Sequence, residues 1–330
     1  MSHPTISATR VYIGGEEKKL SFEEFPFTAS SKTYCVDFQV SDSACTATAY
    51  LSGVKANSAT IGLSARALRS NCQDGNDASK KTESIASWAM KAGKDAGFVT
   101  TTRVTHASPT GVYASIADRD WENDIEVSVS GCDSNLVDDI AEQLVNGEVG
   151  KKLKVMMGGG SRNFIDRRFT EHGATGNRTD GKNLIDDWKA MDPARTYINN
   201  REGLMNLNPA SVKQVLGLFS NNHVPYNLDV QRDGTQATNP SLTDMTEKAI
   251  DILSQNDEGY FLFVEGGRID HGHHENKAKY AIDETAEFSK AIEAAMKKVN
   301  INETLIVVTA DHGHVMTMSG YAVSANALIK

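Results

Sequence analysis

The stretch Tyr260-Phe261-Leu262-Phe263-Val264-Glu265-Gly266-Gly267-Arg268-Ile269-Asp270-His271-Gly272-His273-His274 decides how this chain is read. Five apolar residues of strand length run into a carboxylate, a glycine pair and a cluster of metal-ligating side chains. In open α/β sheets, ligands bind beyond the carboxyl ends of the strands. A second junction of this kind follows, Leu305-Ile306-Val307-Val308-Thr309-Ala310 leading into Asp311-His312-Gly313-His314. Residues 270–274 and 311–314 together hold five of the nine histidines. A single Asp-His pair reads as a salt bridge or a helix cap. Two pairs at two strand ends point to a metal-assisted hydrolase.

Working outward, the chain alternates strands and helices. Residues 242–255 carry Met245, Ile250 and Leu253 at helical spacing, and 277–299 place Ala281, Ile282, Phe288, Ile292, Ala295 and Val299 on one helical face. Residues 304–310 read as the next strand. Upstream, 98–104 and 153–157 read as strands, and 44–56, 82–94 and 135–146 as helices. Residues 32–40 alternate like a strand. Strands separated by helices of this length predict an α/β protein, a three-layer sandwich with a mostly parallel central sheet. Residues 163–239 are richer in Gly, Asn and Pro and read as a loop-rich insertion within a single domain spanning 1–330.

Composition narrows the partners. The 330 residues are 39% hydrophobic and 23% charged, ordinary for a globular chain. A net charge of −9, with no basic tail or stripe, argues against nucleic acid and anionic membranes. Lys151-Lys152-Leu153-Lys154 reads as a solvated lead-in to a strand. No apolar run reaches the length of a transmembrane span. Met1-Ser2-His3-Pro4-Thr5 lacks the charged and apolar regions of a targeting signal, which at face value means cytoplasmic. Cys35, Cys45, Cys72 and Cys132 show no C-x-x-C spacing, which disfavours a zinc knuckle or thioredoxin-type site.

The candidate side chains have physical reasons. Asp270 and His274 share a face if the chain turns helical there. Asp311 and His312 are adjacent at a strand end, where a bend lets both reach one metal. Carboxylate-plus-imidazole sets suit zinc, whereas Glu265 with a hydroxyl and water suits magnesium. Ser43 opens an Ala-rich helix, where backbone N–H groups favour an anion, but taken alone Asp42-Ser43 reads as a helix cap. Arg119 is either an ion-pair partner of its flanking aspartates or a planar fork for phosphate. Gly158-Gly159-Gly160 lacks a Gly-Lys-Ser/Thr ending and reads as a turn.

Over essentially its whole length the chain resembles the animal-type alkaline phosphatases. Five stretches carry the resemblance: Asp42-Ser43-Ala44, residues 101–109 (Thr-Thr-Arg-Val-Thr-His-Ala-Ser-Pro), the Arg119 segment, 265–275 and 309–314. The resemblance implies hydrolysis of phosphate monoesters through a phosphoserine, with two zinc ions and one magnesium ion. Ser43 is then the nucleophile, Arg119 clamps phosphate, and His271 faces it. Asp270 and His274 hold the first zinc, and Asp311 and His312 the second. Ser108 and Glu265 hold magnesium, with His106 in its outer shell. His314 follows the motif but is not carried over as a ligand, and His273 has no assigned role. A Cys72–Cys132 disulfide, a homodimer and an extracellular or lipid-anchored cell-surface location are implied too.

Departures from the family pattern matter as much. The family's Gly-Asp-Gly-Met segment, whose aspartate bridges the second zinc and magnesium, is expected upstream of Met1, and the last histidine on the first zinc downstream of Lys330. Both the first core strand and the C-terminal part are therefore expected outside residues 1–330. Cys35 and Cys45 are expected to be unpaired, Cys45 as a small buried thiol. Ser220 and Asn239 stand where calcium-binding carboxylates are expected, so no calcium is expected. Two other readings are a catalytically inactive truncated paralogue that acts by binding or dimerisation, and a phosphodiesterase or sulfatase relative. Asp42-Ser43-Ala44 favours the monoesterase branch over the latter.

Overall fold

The computed structural model describes residues 1–318 and 320. Its strands are β1 (Asp95–Arg103), β2 (Val155–Gly159), β3 (Thr170–Glu171), β4 (Ala174–Thr175), β5 (Arg195–Ile198), β6 (Gln214–Leu218) and β7 (Tyr260–Glu265). Five form one parallel sheet in the order β5-β6-β2-β1-β7, and β3-β4 is a separate antiparallel hairpin. The helices are α1 (His3–Ile13), α2 (Ser43–Ser52), α3 (Ile85–Lys91), α4 (Ala107–Thr110), α5 (Asp124–Val129), α6 (Ile140–Asn146), α7 (Leu184–Ala190), α8 (Arg201–Asn206), α9 (Asn227–Arg232), α10 (Leu242–Leu253), α11 (Arg268–His274) and α12 (Ala278–Lys298).

Two cores lie on the two faces of the sheet. Ala96 and Phe98 of β1, Met156 of β2 and Leu216 of β6 share one cluster with Leu51 of α2, Leu144 of α6 and Trp188 of α7. Val99, Met157 and Val215 share the other with Leu204 of α8, Met245 and Ile252 of α10 and Ala291 of α12. Successive residues Phe98 and Val99 thus point to opposite faces, as the two-residue strand period requires. The expected α/β architecture, helices on both faces of a parallel sheet, is what forms. From β1 the chain moves one way to β2 and, later, the other way to β7. That reversal is where the strand ends open a crevice.

Several elements differ from the sequence expectation. The helices expected at 44–56, 82–94 and 135–146 shorten to α2, α3 and α6. Ser84 caps the second, the Asp139–Glu142 capping box opens the third, and Gly53 (φ 74°) ends the first. Residues 163–239 are more than loops, because they supply β5 and β6 to the central sheet. The strand expected at 32–40 does not form: Val36 donates to the Ala56 carbonyl at 3.0 Å, but Phe38 and Val40 stand exposed with no sheet beside them.

The strand expected at 304–310 does not form either. This segment runs extended past β7 without joining the sheet, and Leu305 is 88% exposed. A cavity of about 620 Å³ separates it from β7, lined also by Met1, Ser43 and Asp311. Without a neighbour at ladder distance the backbone has nothing to pair with, so strand-forming composition does not become a strand. For the same reason every residue of β7 is half-buried, whereas β2 and β6 are buried throughout.

One buried ion cluster ties the outer elements together. Arg178 is fully buried. Its guanidinium lies 2.9 Å from Asp139 and 2.6 Å from Asp180 and donates to the Asn163 carbonyl at 3.2 Å. Replacing one partner leaves the others charged in a low dielectric. Arg178→Ala is expected to cost about 3–5 kcal/mol in a chemical-denaturation midpoint series. A loss below about 1 kcal/mol, the value of an exposed pair, contradicts this arrangement.

Candidate active site

Ser43 is the first residue of α2 and lies at the crevice. Asp42 precedes it in extended conformation and caps the helix, accepting from the Ala44 amide at 3.2 Å and the Cys45 amide at 3.4 Å. The same carboxylate accepts from the Ala59 amide and from Nη1 of Arg119, both at 3.0 Å. Burial pushes the Asp42 carboxyl up, but the Ala59 and Ala44 amides and the Arg119 guanidinium outweigh it and hold it below the usual range. The two readings of Asp42-Ser43 are therefore compatible: Asp42 is the cap, and Ser43 is left facing the site. Arg119 pairs with Asp42 rather than with its flanking aspartates, which bind Arg69.

His312 reaches Ser43 from the far side of the gap. Its Nδ1 donates to the Gly313 carbonyl at 2.8 Å, which turns Nε2 toward Ser43. That atom lies 3.2 Å from Ser43 Oγ, 3.4 Å from Asp311 Oδ2 and 4.0 Å from Asp270 Oδ1. Asp270 lies 3.4 Å from His274 and 3.2 Å from His314, and these three offer ligand atoms that all lie within 4.8 Å of one another. His314, not carried over as a ligand from the sequence, is thus placed with the Asp270 pair. His273 is structural: its Nε2 lies 3.0 Å from Thr5 Oγ1, tying α11 to α1.

Glu265 ends β7 directly opposite Thr100. Thr100 and Thr102 donate their hydroxyls to it, and Ser108, on α4, lies within reach of the same carboxyl. Burial, against these hydroxyls, pushes Glu265 up to about 7. Gly267 follows because a Cβ there would collide with the Thr102 methyl and the Glu265 carboxyl.

His106, at the start of α4, and His271 belong to a third group, which includes His223 from the loop after β6. Their ring centroids lie 5.3 Å (His106–His223), 5.3 Å (His106–His271) and 4.3 Å (His223–His271) apart. Burial and the surrounding arginines push all three imidazoles down, His271 to about 4, so they are neutral. Arg268 donates to His271 Nδ1 at 2.8 Å and the Arg103 amide donates to His223 Nδ1 at 3.1 Å. His223 lies in no motif and at no strand junction; only its neighbourhood to β6 in space reveals it.

Cys72 and Cys132 form a disulfide, as the resemblance implied. The expectation for the other pair is overturned: Cys35 and Cys45 are also bridged, with Cα atoms 5.7 Å apart. Spacing alone concealed this, because the segment holding Cys35 folds back against the start of α2 instead of leaving as a strand.

The Asp270 Oδ1 atom is buried without a hydrogen bond, His312 Nε2 faces two aspartates, and Glu265 is held by threonine hydroxyls. Carboxylates and imidazoles gathered in this way suit divalent cations.

The geometry defines a class: a parallel α/β sandwich with two carboxylate–imidazole clusters and a helix-start serine at one edge of its sheet. The family model for alkaline phosphatase matches residues 1–329. The membrane-bound alkaline phosphatase of Bombyx mori is 47% identical over 333 residues, covering 98% of this chain and 60% of that protein. The Thermus thermophilus alkaline phosphatase structure superposes with a TM-score of 0.70 at 26% identity, covering 90% of this chain and 54% of that one. A mutant alkaline phosphatase of the Antarctic bacterium TAB5, with Mg bound in the M3 site, superposes with a TM-score of 0.65 at 25% identity, covering 90% and 70%. The chain belongs to the alkaline phosphatase family. It spans less than two thirds of the length of the silkworm relative.

The raised Glu265 carboxyl gives a pH test. A folded-state value of about 7 against an ordinary 4.5 means Glu265 supports the fold below the lower value and withdraws that support as pH rises through the upper one. Glu284, also pushed up by burial to about 7, acts in the same direction. Metal-free protein is expected to melt lower at about pH 7.5 than at about pH 5.5. Glu265→Gln should flatten part of that slope. Magnesium should restore the melting temperature of the wild type at the higher pH and leave the variant unmoved. A magnesium response of equal size in both proteins contradicts the assignment of Glu265.

Proposed function

We propose that this chain is the greater part of the catalytic domain of a phosphate-monoester hydrolase acting through a phosphoserine on Ser43. The carrying observation is the convergence on Ser43: its Oγ lies 3.2 Å from Nε2 of His312, while the preceding residue, Asp42, holds Arg119 at 3.0 Å. In this reading Asp270 and His274 hold one zinc ion, with His314 beside them. Asp311 and His312 hold a second, and Ser108 and Glu265 hold magnesium with His106 outside. The TAB5 structure with bound Mg supports a metal in this family, and the gathering of Asp270 with His274 and His314 supports one here. Bound divalent ions lower the pKa of a hydroxyl they touch and neutralise charge on a phosphoryl group.

The chain's own residues do the remaining work. The α2 N-terminus presents N–H groups to an anion, which favours phosphate beside Ser43. Arg119 offers two parallel N–H donors to two phosphate oxygens, a geometry its pairing with Asp42 preorganises. His271 accepts from Arg268 through Nδ1, which leaves Nε2–H as a donor toward the same oxygens. Ser43 Oγ forms its bond to phosphorus as the ester oxygen departs. Water then takes the phosphoryl group and returns the serine hydroxyl. Because these contacts address the phosphoryl group, small phosphate monoesters of many kinds are the substrates.

The gap beside β7 belongs to this reading. A strand from outside residues 1–330 fills the cavity between β7 and 304–310 in the whole protein and completes the metal sites. The silkworm relative's name and two disulfides support a cell-surface or extracellular location. No described helix is long and apolar enough to cross a membrane. A homodimer is the proposed assembly.

Zinc- and magnesium-loaded residues 1–330 are expected to hydrolyse p-nitrophenyl phosphate feebly, and the protein extended at both ends to do so well. In the extended protein Ser43→Ala should abolish phosphoenzyme formation and lower kcat by at least about 10³-fold. An unchanged steady-state rate rejects the nucleophile. An extended protein that binds metal but never turns over favours the non-catalytic paralogue instead.

A further inference from the structure

We infer that the Cys35–Cys45 disulfide is a positioning device for the nucleophile and the phosphate clamp, an inference that rests on the assignment of Ser43 and Arg119 above. Between residues 25 and 42, Cys35 is the one buried residue. Phe27, Phe38 and Val40 stand 90%, 59% and 85% exposed, so this segment contributes almost nothing to either core. Its polar attachments are few: the Val36 amide to the Ala56 carbonyl, the Lys55 ammonium to the Lys32 and Tyr34 carbonyls and over the Tyr34 ring, and Asp37 to the Ser58 amide. A stretch held this weakly opens locally at little cost. Yet it leads directly into Asp42 and Ser43.

The bridge closes a ring from residue 35 to residue 45, and both site residues lie inside it. Cys35, Cys45 and Ala56 form a small buried apolar cluster of their own, apart from the two cores of the sheet. Both sulfurs pack on Asp42, the Cys35 Sγ 3.7 Å from its Oδ1 and the Cys45 Sγ 3.5 Å from its carbonyl. The Asp42 carboxylate beside the bridge has three duties. It caps α2, it holds the 58–59 turn through the Ala59 amide, and it fixes Arg119. A bridge at this point removes the freedom of the weakly held segment where that freedom would move Ser43 Oγ relative to the guanidinium. Misplacement by about 1 Å at a reacting centre is enough to cost rate. The Cys72–Cys132 bridge has no such neighbours: it joins exposed loops and the first core at a sequence separation of 60.

The test compares Cys35→Ala/Cys45→Ala with Cys72→Ala/Cys132→Ala in metal-loaded protein. In the first variant the backbone amides of residues 43–46 should exchange hydrogen at least about tenfold faster. Competitive inhibition by inorganic phosphate should weaken by about fivefold or more, a change larger than that in melting temperature would explain. The second variant should lower the melting temperature and leave both quantities unchanged. Unaltered exchange at 43–46 together with unaltered phosphate affinity in the first variant overturns the inference. Where turnover is too slow to read inhibition, direct phosphate binding and exchange decide it. Ser43→Ala, measured alongside, separates the two claims: if that variant still hydrolyses monoesters, the functional reading fails while exchange still judges the bridge.

Discussion

Parallel pairing of β1 with β7, with Thr100 directly opposite Glu265, is the contact on which the site depends. Parallel strands joined by helical crossovers bring their carboxyl ends to one edge. The register then sets which residues meet there. Thr100 and Thr102 give hydroxyls to Glu265, and a few residues beyond each strand the chain turns into α4 and α11, which carry His106, Ser108, Asp270 and His274. A slip of one residue would turn Glu265 to the other face of the sheet. The apolar residues of both strands prevent that slip, because Phe98 and Val99 each fit only one of the two cores.

The edge so formed is divided electrostatically. On one side are Glu265, Asp270 and Asp311 with the imidazoles of His274, His312 and His314. On the other are Arg103, Arg119 and Arg268 around the neutral rings of His106, His223 and His271. Ser43 lies on the boundary, touching His312 on the acidic side while its neighbour Asp42 anchors Arg119 on the basic side. An acidic half is suited to cations and a basic half to an anion. A serine between them meets both without carrying charge of its own.

Much of this was legible in the sequence because it depends on periodicity and punctuation. The helical stripe of residues 277–299 and the apolar runs at 153–157 and 260–264 survive as elements, and the carboxylate and imidazoles after Val264 lie past the end of a strand, as their position in the sequence implies. What was illegible depends on neighbours in space. Residues 32–40 and 304–310 have strand composition and lack a partner strand. The Cys35–Cys45 bridge requires a fold-back that no spacing announces. His223 reaches the site only because β6 lies two strands from β1 in the sheet. Residues 163–239 carry enough Gly, Asn and Pro to look like loops, and β5 and β6 among them are recognisable only once β2 stands beside β6.

The unpaired flank of β7 also has a colloidal meaning. A row of free N–H and C=O groups is a template for any extended chain, including another copy of the same segment. Leu305-Ile306-Val307-Val308, uncharged and strand-prone, lies open to solvent across the cavity. β7 and this segment are thus two strand-prone surfaces facing one cavity.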